Sequence, residues 1–503
     1  MALLTRLVIA GIAAAGLAGA VPFGKPSTSD VVQQWVKRSG RSIKWGPCSD
    51  IFPDTLTCAT FLVPLDWDRS HDLGIEKVEL GMVRLEATDK KHRIGYLFVN
   101  PGGPGGQATS TVSSLATRVA PEIRARFDII GLDPRGVGIS TPVQCDPKVY
   151  NKRVKYMPKT EKEYDALVQY NKQLGASCLK KTGPLVNYVD TISAVKDHEA
   201  VRIALGDKAT FLGLSYGTQL FSQYAQLFPD SFRAIVLDGN LQHSQSESTN
   251  LLVEATTYEA TLKEFFNWCA FNSTCALKGK DVSAVFESVR DKATASPIPA
   301  PGCDDVSCRS DVTEEDFLFT AQGFLISQRN WPVFGQGLLD AENGNATIIS
   351  QFNQIAVGSA YDDSYLYAGT AIGCQDWAHD SKGLADVIEK QRLGEVFSPL
   401  TLGACQSYKL QTQCIGWPAP LSNPPAPVVY KGKKELLMVN SLHDPSTSYT
   451  WALGLHSEIK NALLLTRNGS GHTSYLLGGE TTRLTNAYLL NLTLPEPGTI
   501  TQS

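Results

Sequence analysis

Thr210-Phe211-Leu212-Gly213-Leu214-Ser215-Tyr216-Gly217-Thr218 is the stretch on which the fold turns. The apolar run 210–212 reads as a buried strand and the run 219–227 as a helix, so Gly213-Leu214-Ser215-Tyr216-Gly217 falls at a strand-to-helix turn. A serine held there sits on a sharp, strained corner with its hydroxyl exposed. A side chain at either flanking glycine would collide with the neighbouring helix or strand. The five-residue pattern recurs by chance; the strand before it and the helix after it give it weight.

Similar apolar runs lie on both sides. Residues 96–99 meet a glycine cluster, 127–132 meet Asp133, 234–237 meet Asp238, and 436–439 with 463–465 form a second group near the C-terminus. Residues 191–205, opened by Asp190 or Thr191 as N-cap, carry Ile192, Val195, Val201 and Leu205 at helical spacing. Strands alternating with such helices predict a mostly parallel sheet. Between 241 and 417 the strand pattern lapses into helical stretches, including 251–270 and 313–328. The Pro-rich run 418–427 reads as the return to the sheet. The chain thus divides into a core segment 21–240, an inserted cap 241–417 and a returning core segment 418–503.

An acyl-transfer serine needs a base and an acid. His472, in a Gly-rich loop after the last strand, and Asp444, after the strand before it, supply them in the order Ser215, Asp444, His472. That is the chain order of an α/β-hydrolase, with the cap inserted after the sixth core strand. His443 and Asp238 are the alternatives for base and acid; Asp238 is better placed for a structural role in the turn to the cap. The tetrahedral oxyanion needs N–H donors. Gly103, or Gly102 failing it, and Tyr216 are the candidates, since Pro104 has no N–H. Asp133 and Arg135 read as a pair ordering the loop behind the oxyanion strand.

Composition bounds the rest. With 503 residues, 43% hydrophobic and 19% charged, the chain can bury a large core, and 46 basic against 50 acidic residues give a net charge of −4. No field exists to gather nucleic acid. Arg6, an apolar run over 7–17 and Ala18-Gly19-Ala20 have the form of a secretory signal over 1–20, too short for a membrane anchor. An extracellular setting permits disulfides among the eleven cysteines. Spacing suggests Cys48 with Cys58, Cys145 with Cys178, Cys269 with Cys275 and Cys303 with Cys308. Cys374, Cys405 and Cys414 leave one thiol over, with proximity favouring Cys405 to Cys414. Asn272, Asn345, Asn468 and Asn491 lie in glycosylation sequons. No zinc-type spacing or phosphate-loop ending occurs, so neither a metal site nor a phosphate-cradling loop is expected.

Taken jointly, Asn100-Pro101-Gly102-Gly103-Pro104-Gly105, Asp133-Pro134-Arg135-Gly136-Val137-Gly138, the Ser215 turn and Leu237-Asp238-Gly239 resemble the tripeptidyl aminopeptidase and proline iminopeptidase group of α/β-hydrolase peptidases. Cys414-Ile415-Gly416-Trp417-Pro418, Asp444-Pro445-Ser446-Thr447 and Gly471-His472 are similar to the TAP-like C-terminal module of the secreted members. Two departures bear on substrate: Pro101 stands where proline iminopeptidases usually have His, and Pro445 is not followed by the second proline commonly seen. The resemblance implies a cofactor-free secreted serine exopeptidase acting on peptides, and it favours Cys374 to Cys414. Such an enzyme must hold the substrate ammonium with an anion, for which Asp376, Glu314 and Glu315 are the candidates. An esterase, lipase or small-metabolite hydrolase on the same fold is the competing reading, and a non-catalytic binding protein the remote one. A wide apolar cap favours esters; a narrow cleft ending in carboxylates favours peptides.

Overall fold

Along Phe127–Leu132, Phe232–Asp238 and Leu436–His443, apolar side chains alternate between two cores, as the two-residue period of a strand buried on both faces requires. Ile235, Leu237, Leu436 and Met438 enter one core, while Ala234, Val236, Leu437 and Val439 enter the other. The structure is a computed structural model that describes residues 27–40, 42–303, 308–350 and 364–502. The signal expected over 1–20 lies outside them.

The strands are β1 (Gly46–Pro47), β2 (Thr57–Pro64), β3 (Lys77–Leu85), β4 (Gly95–Asn100), β5 (Phe127–Leu132), β6 (Ala209–Leu214), β7 (Phe232–Asp238), β8 (Ile298–Pro299), β9 (Asp311–Val312), β10 (Leu436–His443), β11 (Ala462–Ser470) and β12 (Ile500–Gln502). Ten form one sheet in the order β1-β2-β3-β5-β4-β6-β7-β10-β11-β12. An antiparallel edge through β3 feeds a parallel run from β5 to β12. The exchange of β4 and β5, the parallel run and helices on both faces are the α/β-hydrolase arrangement. The antiparallel pair β2–β3 was not read from the sequence. Its strand Lys77–Leu85 carries Val78, Leu80 and Met82 on one face, a period-two signal that could have found it.

Helices Thr191–Leu205 and Tyr216–Leu227 cover one face; Ala108–Leu115, Pro121–Arg126 and Gly479–Asn491 cover the other. Asp190 is the N-cap of the first, accepting from the Ser193 N–H at 2.9 Å. Between β7 and β10 the chain leaves the sheet. This follows the seventh strand in chain order, or the sixth if the two-residue β1 is set aside. Helices Glu247–Phe271, Val282–Ala295, Glu314–Leu325 and Trp331–Glu342 build a separate core around Leu262, Phe265, Phe286 and Phe334. Met157, from the segment before this excursion, joins that core.

Five disulfides form: Cys48–Cys58, Cys145–Cys178, Cys269–Cys275, Cys303–Cys308 and Cys374–Cys414. Cys405 is left as the buried free thiol, so the pairing by family likeness holds and the pairing by proximity does not. Cys405 instead accepts the Tyr408 N–H at the start of helix Gln406–Cys414. Asn345, Asn468 and Asn491 are exposed, and Asn272 is half-buried. Among the described residues no helix is long and apolar enough to cross a membrane, and no group of side chains could hold a metal ion.

Candidate active site

Ser215 ends β6 in a left-handed conformation, φ 58° and ψ −125°, which costs a non-glycine residue about 1–3 kcal/mol. The corner is held from below by the Ser215 N–H, which donates to the Asp238 carbonyl at 2.9 Å. The two flanking glycines are sterically required. A Cβ on Gly213 would overlap the Gly217 carbonyl, and one on Gly217 would lie 2.7 Å from the Asn100 carbonyl oxygen. The strand can therefore turn into the helix within a single residue, leaving Ser215 on the wall of a cavity.

Next to it runs the loop after β4. A Cβ on Gly102 would come within 2.7 Å of both Ser215 Cβ and the Tyr216 nitrogen, so only glycine lets this backbone approach the serine. The Gly102 N–H is spent on Asn100 Oδ1 at 2.9 Å. Among the described residues the Gly103 N–H has no such acceptor, and Gly103 lines the cavity with Ser215. The geometry thus favours Gly103 over Gly102 as a donor.

His472 Nδ1 lies 2.9 Å from both carboxylate oxygens of Asp444. Asp444 is wholly buried, yet every face of its carboxylate is used. It accepts from the Ser446 N–H at 2.9 Å, the Thr447 N–H at 2.8 Å, the Thr447 hydroxyl at 2.8 Å and the Thr473 N–H at 3.2 Å. Burial alone would raise its pKa, but the His472 charge and these donors outweigh it and hold the group below the usual carboxylate range. For His472 burial pulls the pKa down, and the facing carboxylate more than compensates, leaving it above its ordinary value.

Several residues not foreseen from the sequence hold this pair. The buried Arg467 guanidinium donates to the carbonyls of Gly471 (3.0 Å) and Thr473 (3.2 Å) and to the Ser474 hydroxyl (3.0 Å), fixing the loop that carries His472. Thr447 Oγ1 lies 3.1 Å from His472 Nδ1 as well as against Asp444. Glu254 was legible in principle, as a charge on the apolar stripe Leu251, Ala255, Tyr258, Leu262. It lines the cavity, accepts from Gln322 Nε2 at 2.7 Å and the Ser407 N–H at 2.8 Å, and is pushed by burial up to about 7.

The alternatives fall elsewhere. Asp238 forms no hydrogen bond with His472, although its charge helps to raise the imidazole pKa; its Oδ2 accepts the N–H groups of Ser474 and Tyr475 at 2.8 and 2.7 Å, anchoring the loop after the histidine rather than the turn to the cap. His443 offers the loop only its backbone carbonyl, to the Gly471 N–H. Asp133 and Arg135 do not pair. Arg135 forks onto Asp197 at 2.6 Å for each bond, while Asp133 accepts from Thr109 and the Ile139 N–H. Both stay fully buried because each finds its own partners.

The cavity holds about 710 Å³. Of the three carboxylates considered for a substrate amine, only Glu315 reaches it. Its oxygens accept the N–H groups of Tyr156 and Met157, at 2.8 and 3.1 Å, and burial pushes it up to about 7. Glu314 is turned away, bonded to the Thr294 hydroxyl. Asp376 is a correction to the sequence reading. It is wholly buried and consumed by the Thr191 N–H (3.0 Å), the Thr191 hydroxyl and Asn423 Nδ2 (2.9 Å), a tie between helix Ser364–Asp376 and the start of helix Thr191–Leu205.

Residues 398–501 match the family described as TAP-like protein. Over 482 residues, 91% of each chain, the sequence is 27% identical to serine protease Hip1 of Mycobacterium tuberculosis. It is 29% identical over 483 residues to carboxylesterase B of the same organism, covering 90% of this chain and 88% of that one. To the tripeptidyl aminopeptidase of Streptomyces lividans it is 26% identical over 448 residues, 85% and 80% of the two chains. The chain is a serine hydrolase of the α/β-hydrolase fold. Across this hydrolase the relatives extend the likeness well beyond the C-terminal module, through the helical excursion that roofs the cavity.

Proposed function

We propose that the hydrolase is a secreted exopeptidase that releases short peptides from free N-termini, with Ser215 as nucleophile, His472 as general base and Asp444 orienting the imidazole. In this reading His472 takes the Ser215 proton as the hydroxyl attacks the scissile carbonyl. The N–H groups of Gly103 and Tyr216 receive the oxyanion. His472 then passes its proton to the leaving amine, and water resolves the acyl-enzyme by the same steps in reverse.

The observation that carries the exopeptidase reading is that Ser215, Gly103, Glu254 and Glu315 line one cavity under the helical segment 241–417, which acts as the cap. An ammonium leaving water needs a carboxylate beside it. Glu315 and Glu254, held near neutrality by burial, would ionise on meeting one. The relative named tripeptidyl aminopeptidase supports the same reading. Secretion is supported by five disulfides and by the form of residues 1–20.

A second reading, a carboxylesterase, is favoured by the relative of that name. Paired peptide amides that differ only in N-terminal acetylation separate the two. An exopeptidase cleaves the free member far faster, and Glu315→Gln or Glu254→Gln narrows the gap. Equal cleavage of both members would give the site to the esterase or an endopeptidase.

A further inference from the structure

The cavity has a second polarity. Besides Glu254, Glu315 and Asp316, its wall carries Lys152, Arg153, Arg309 and Lys409. One of these cations is neutralised: Arg153 pairs with Asp311 at 2.6 Å and Asp316 at 2.9 Å. Among the described residues the other three form no ion pair. Lys409 Nζ stands 5.3 Å from the Tyr156 ring centroid and 5.7 Å from that of Phe319, held on two aromatic faces and, among the described residues, in no ion pair with a carboxylate. Arg309 gives Nη1 to the Asn151 carbonyl at 3.1 Å, while its Nε is buried with no hydrogen-bond partner among the described residues. Lys152 reaches only Gln173 Oε1, at 3.3 Å.

These groups share one locality. Arg309 is bonded to the carbonyl of Asn151, between Tyr150 and Lys152 in the chain, and Lys409 lies over Tyr156; all of these but Asn151 line the one cavity. The carboxylates of the cavity do not answer these charges. Glu315 accepts two backbone N–H groups and Glu254 accepts Gln322 and the Ser407 N–H, and neither forms an ion pair with Lys152, Arg309 or Lys409. The buried Arg309 Nε, without an acceptor among the described residues, leaves the guanidinium incompletely paired within the protein.

We infer that this wall is a subsite for an anionic side chain of the substrate, Asp or Glu in a peptide, received by Lys409 with Arg309 and Lys152. The inference rests on the peptidase reading and narrows it: the favoured substrate carries a free amine for the carboxylates and an acid for this wall. Attraction in a half-buried cavity is screened less than at an open surface, so the preference is a matter of charge as well as shape.

The test uses the full mature chain and tripeptidyl amides with free amines, carrying Glu or Gln at each of the three positions in turn. At one position kcat/KM for Glu exceeds that for Gln by about tenfold at low salt and falls as salt rises. Lys409→Met brings the ratio to about one, and Lys409→Glu turns the preference at that position to Lys; Arg309→Gln lowers the ratio independently. A ratio near one at every position in the wild type, or a preference that survives all three substitutions, overturns the subsite while leaving the peptidase reading intact. If peptide amides are inert and only esters turn over, the peptidase reading falls. The same ratio is then read between glutarate and butyrate nitrophenyl esters, where a preference removed by Lys409→Met keeps the subsite and no preference overturns it.

Discussion

The carbonyl of Ile326, just past helix Glu314–Leu325, accepts the backbone N–H of His472 at 2.8 Å. A residue of the helical excursion thereby fixes the loop of the candidate base. One turn earlier, Gln322 donates to Glu254 at 2.7 Å and to the Pro445 carbonyl, beside Asp444, at 2.9 Å, and its oxygen accepts the Gln406 N–H at 2.9 Å. The roof is therefore bonded to the backbone of His472 and to the residue that follows Asp444, and moving it would move both loops.

Gln322→Leu removes all three bonds and leaves one oxygen of the buried Glu254 carboxyl, a carbonyl and an N–H without these partners. The expected loss of stability is about 2–4 kcal/mol, since each orphaned group costs its desolvation. Turnover should fall more than KM rises, because the loops of Asp444 and His472 lose their register while the cavity wall stays. Denaturant melts and steady-state kinetics read both. A variant that melts early with unaltered kcat would show that the roof merely packs on the site.

Ser215→Ala and His472→Ala should each lose on the order of 10⁴-fold or more in kcat, as residues acting as one unit do. Asp444→Asn should follow, since the imidazole keeps its tautomer and orientation through that carboxylate. Asp238→Asn should act chiefly on stability, because its oxygen holds the N–H groups of Ser474 and Tyr475 rather than the imidazole. A larger catalytic loss in folded Asp238→Asn than in Asp444→Asn would move the acid to the end of β7.

What the sequence carried was local. The strand-turn-helix at Ser215, the helix Thr191–Leu205 with its N-cap, and the loops that bring Asp444 and His472 together were legible because glycine sterics, helical period and chain order are written in neighbouring residues. Residues whose role depends on a distant partner were not. Asp376 and Glu315 look alike as cap carboxylates, and only packing decides that one faces Thr191 and the other the cavity. Arg135 sits two residues from Asp133, yet its partner is Asp197, 62 positions away. The segment with Tyr150 and Tyr156 belongs in sequence to the sheet half, but folds across to form a cavity wall with the roof.

Buried carboxyls set the pH dependence of stability. Burial raises Asp133 and Asp238 to about 6 and Glu254, Glu315 and Asp376 to about 7, from unfolded values of 3.8 to 4.5. Between the two values the folded chain binds protons that the unfolded chain has released, so stability falls as pH rises through that window. His472, raised in the fold, acts in the same sense: its contribution is complete below 6.5 and is lost as pH passes its folded pKa. His198, lowered to about 4, and His243, also lowered, oppose this only until pH passes their unfolded value of 6.5. The melting temperature should therefore drop from pH 6.5 to about pH 8 at fixed ionic strength. A rise over that interval would contradict the burial of these groups. The acid limb of kcat/KM should likewise lie above 6.5, because the base works only when neutral.

The last expectation concerns the odd cysteine. Eleven cysteines and five disulfides leave Cys405, whose thiol is fully buried, accepts the Tyr408 N–H, and is pushed well above its usual pKa by burial and by the nearby Glu254 charge. A thiol with so little thiolate reacts slowly. The native protein should give almost no reaction with a thiol reagent, and one equivalent once unfolded without reductant. Peptide maps of that unfolded, labelled chain should carry the label on Cys405 and join Cys374 to Cys414. That bridge ties helix Ser364–Asp376 to helix Gln406–Cys414 across 40 positions, so Cys374→Ala with Cys414→Ala should cost about 4 kcal/mol in the chain-entropy account. Label found on Cys374, with Cys405 joined to Cys414, would break the packing of the helix against Leu251, whose carbonyl lies 3.5 Å from the Cys405 sulfur.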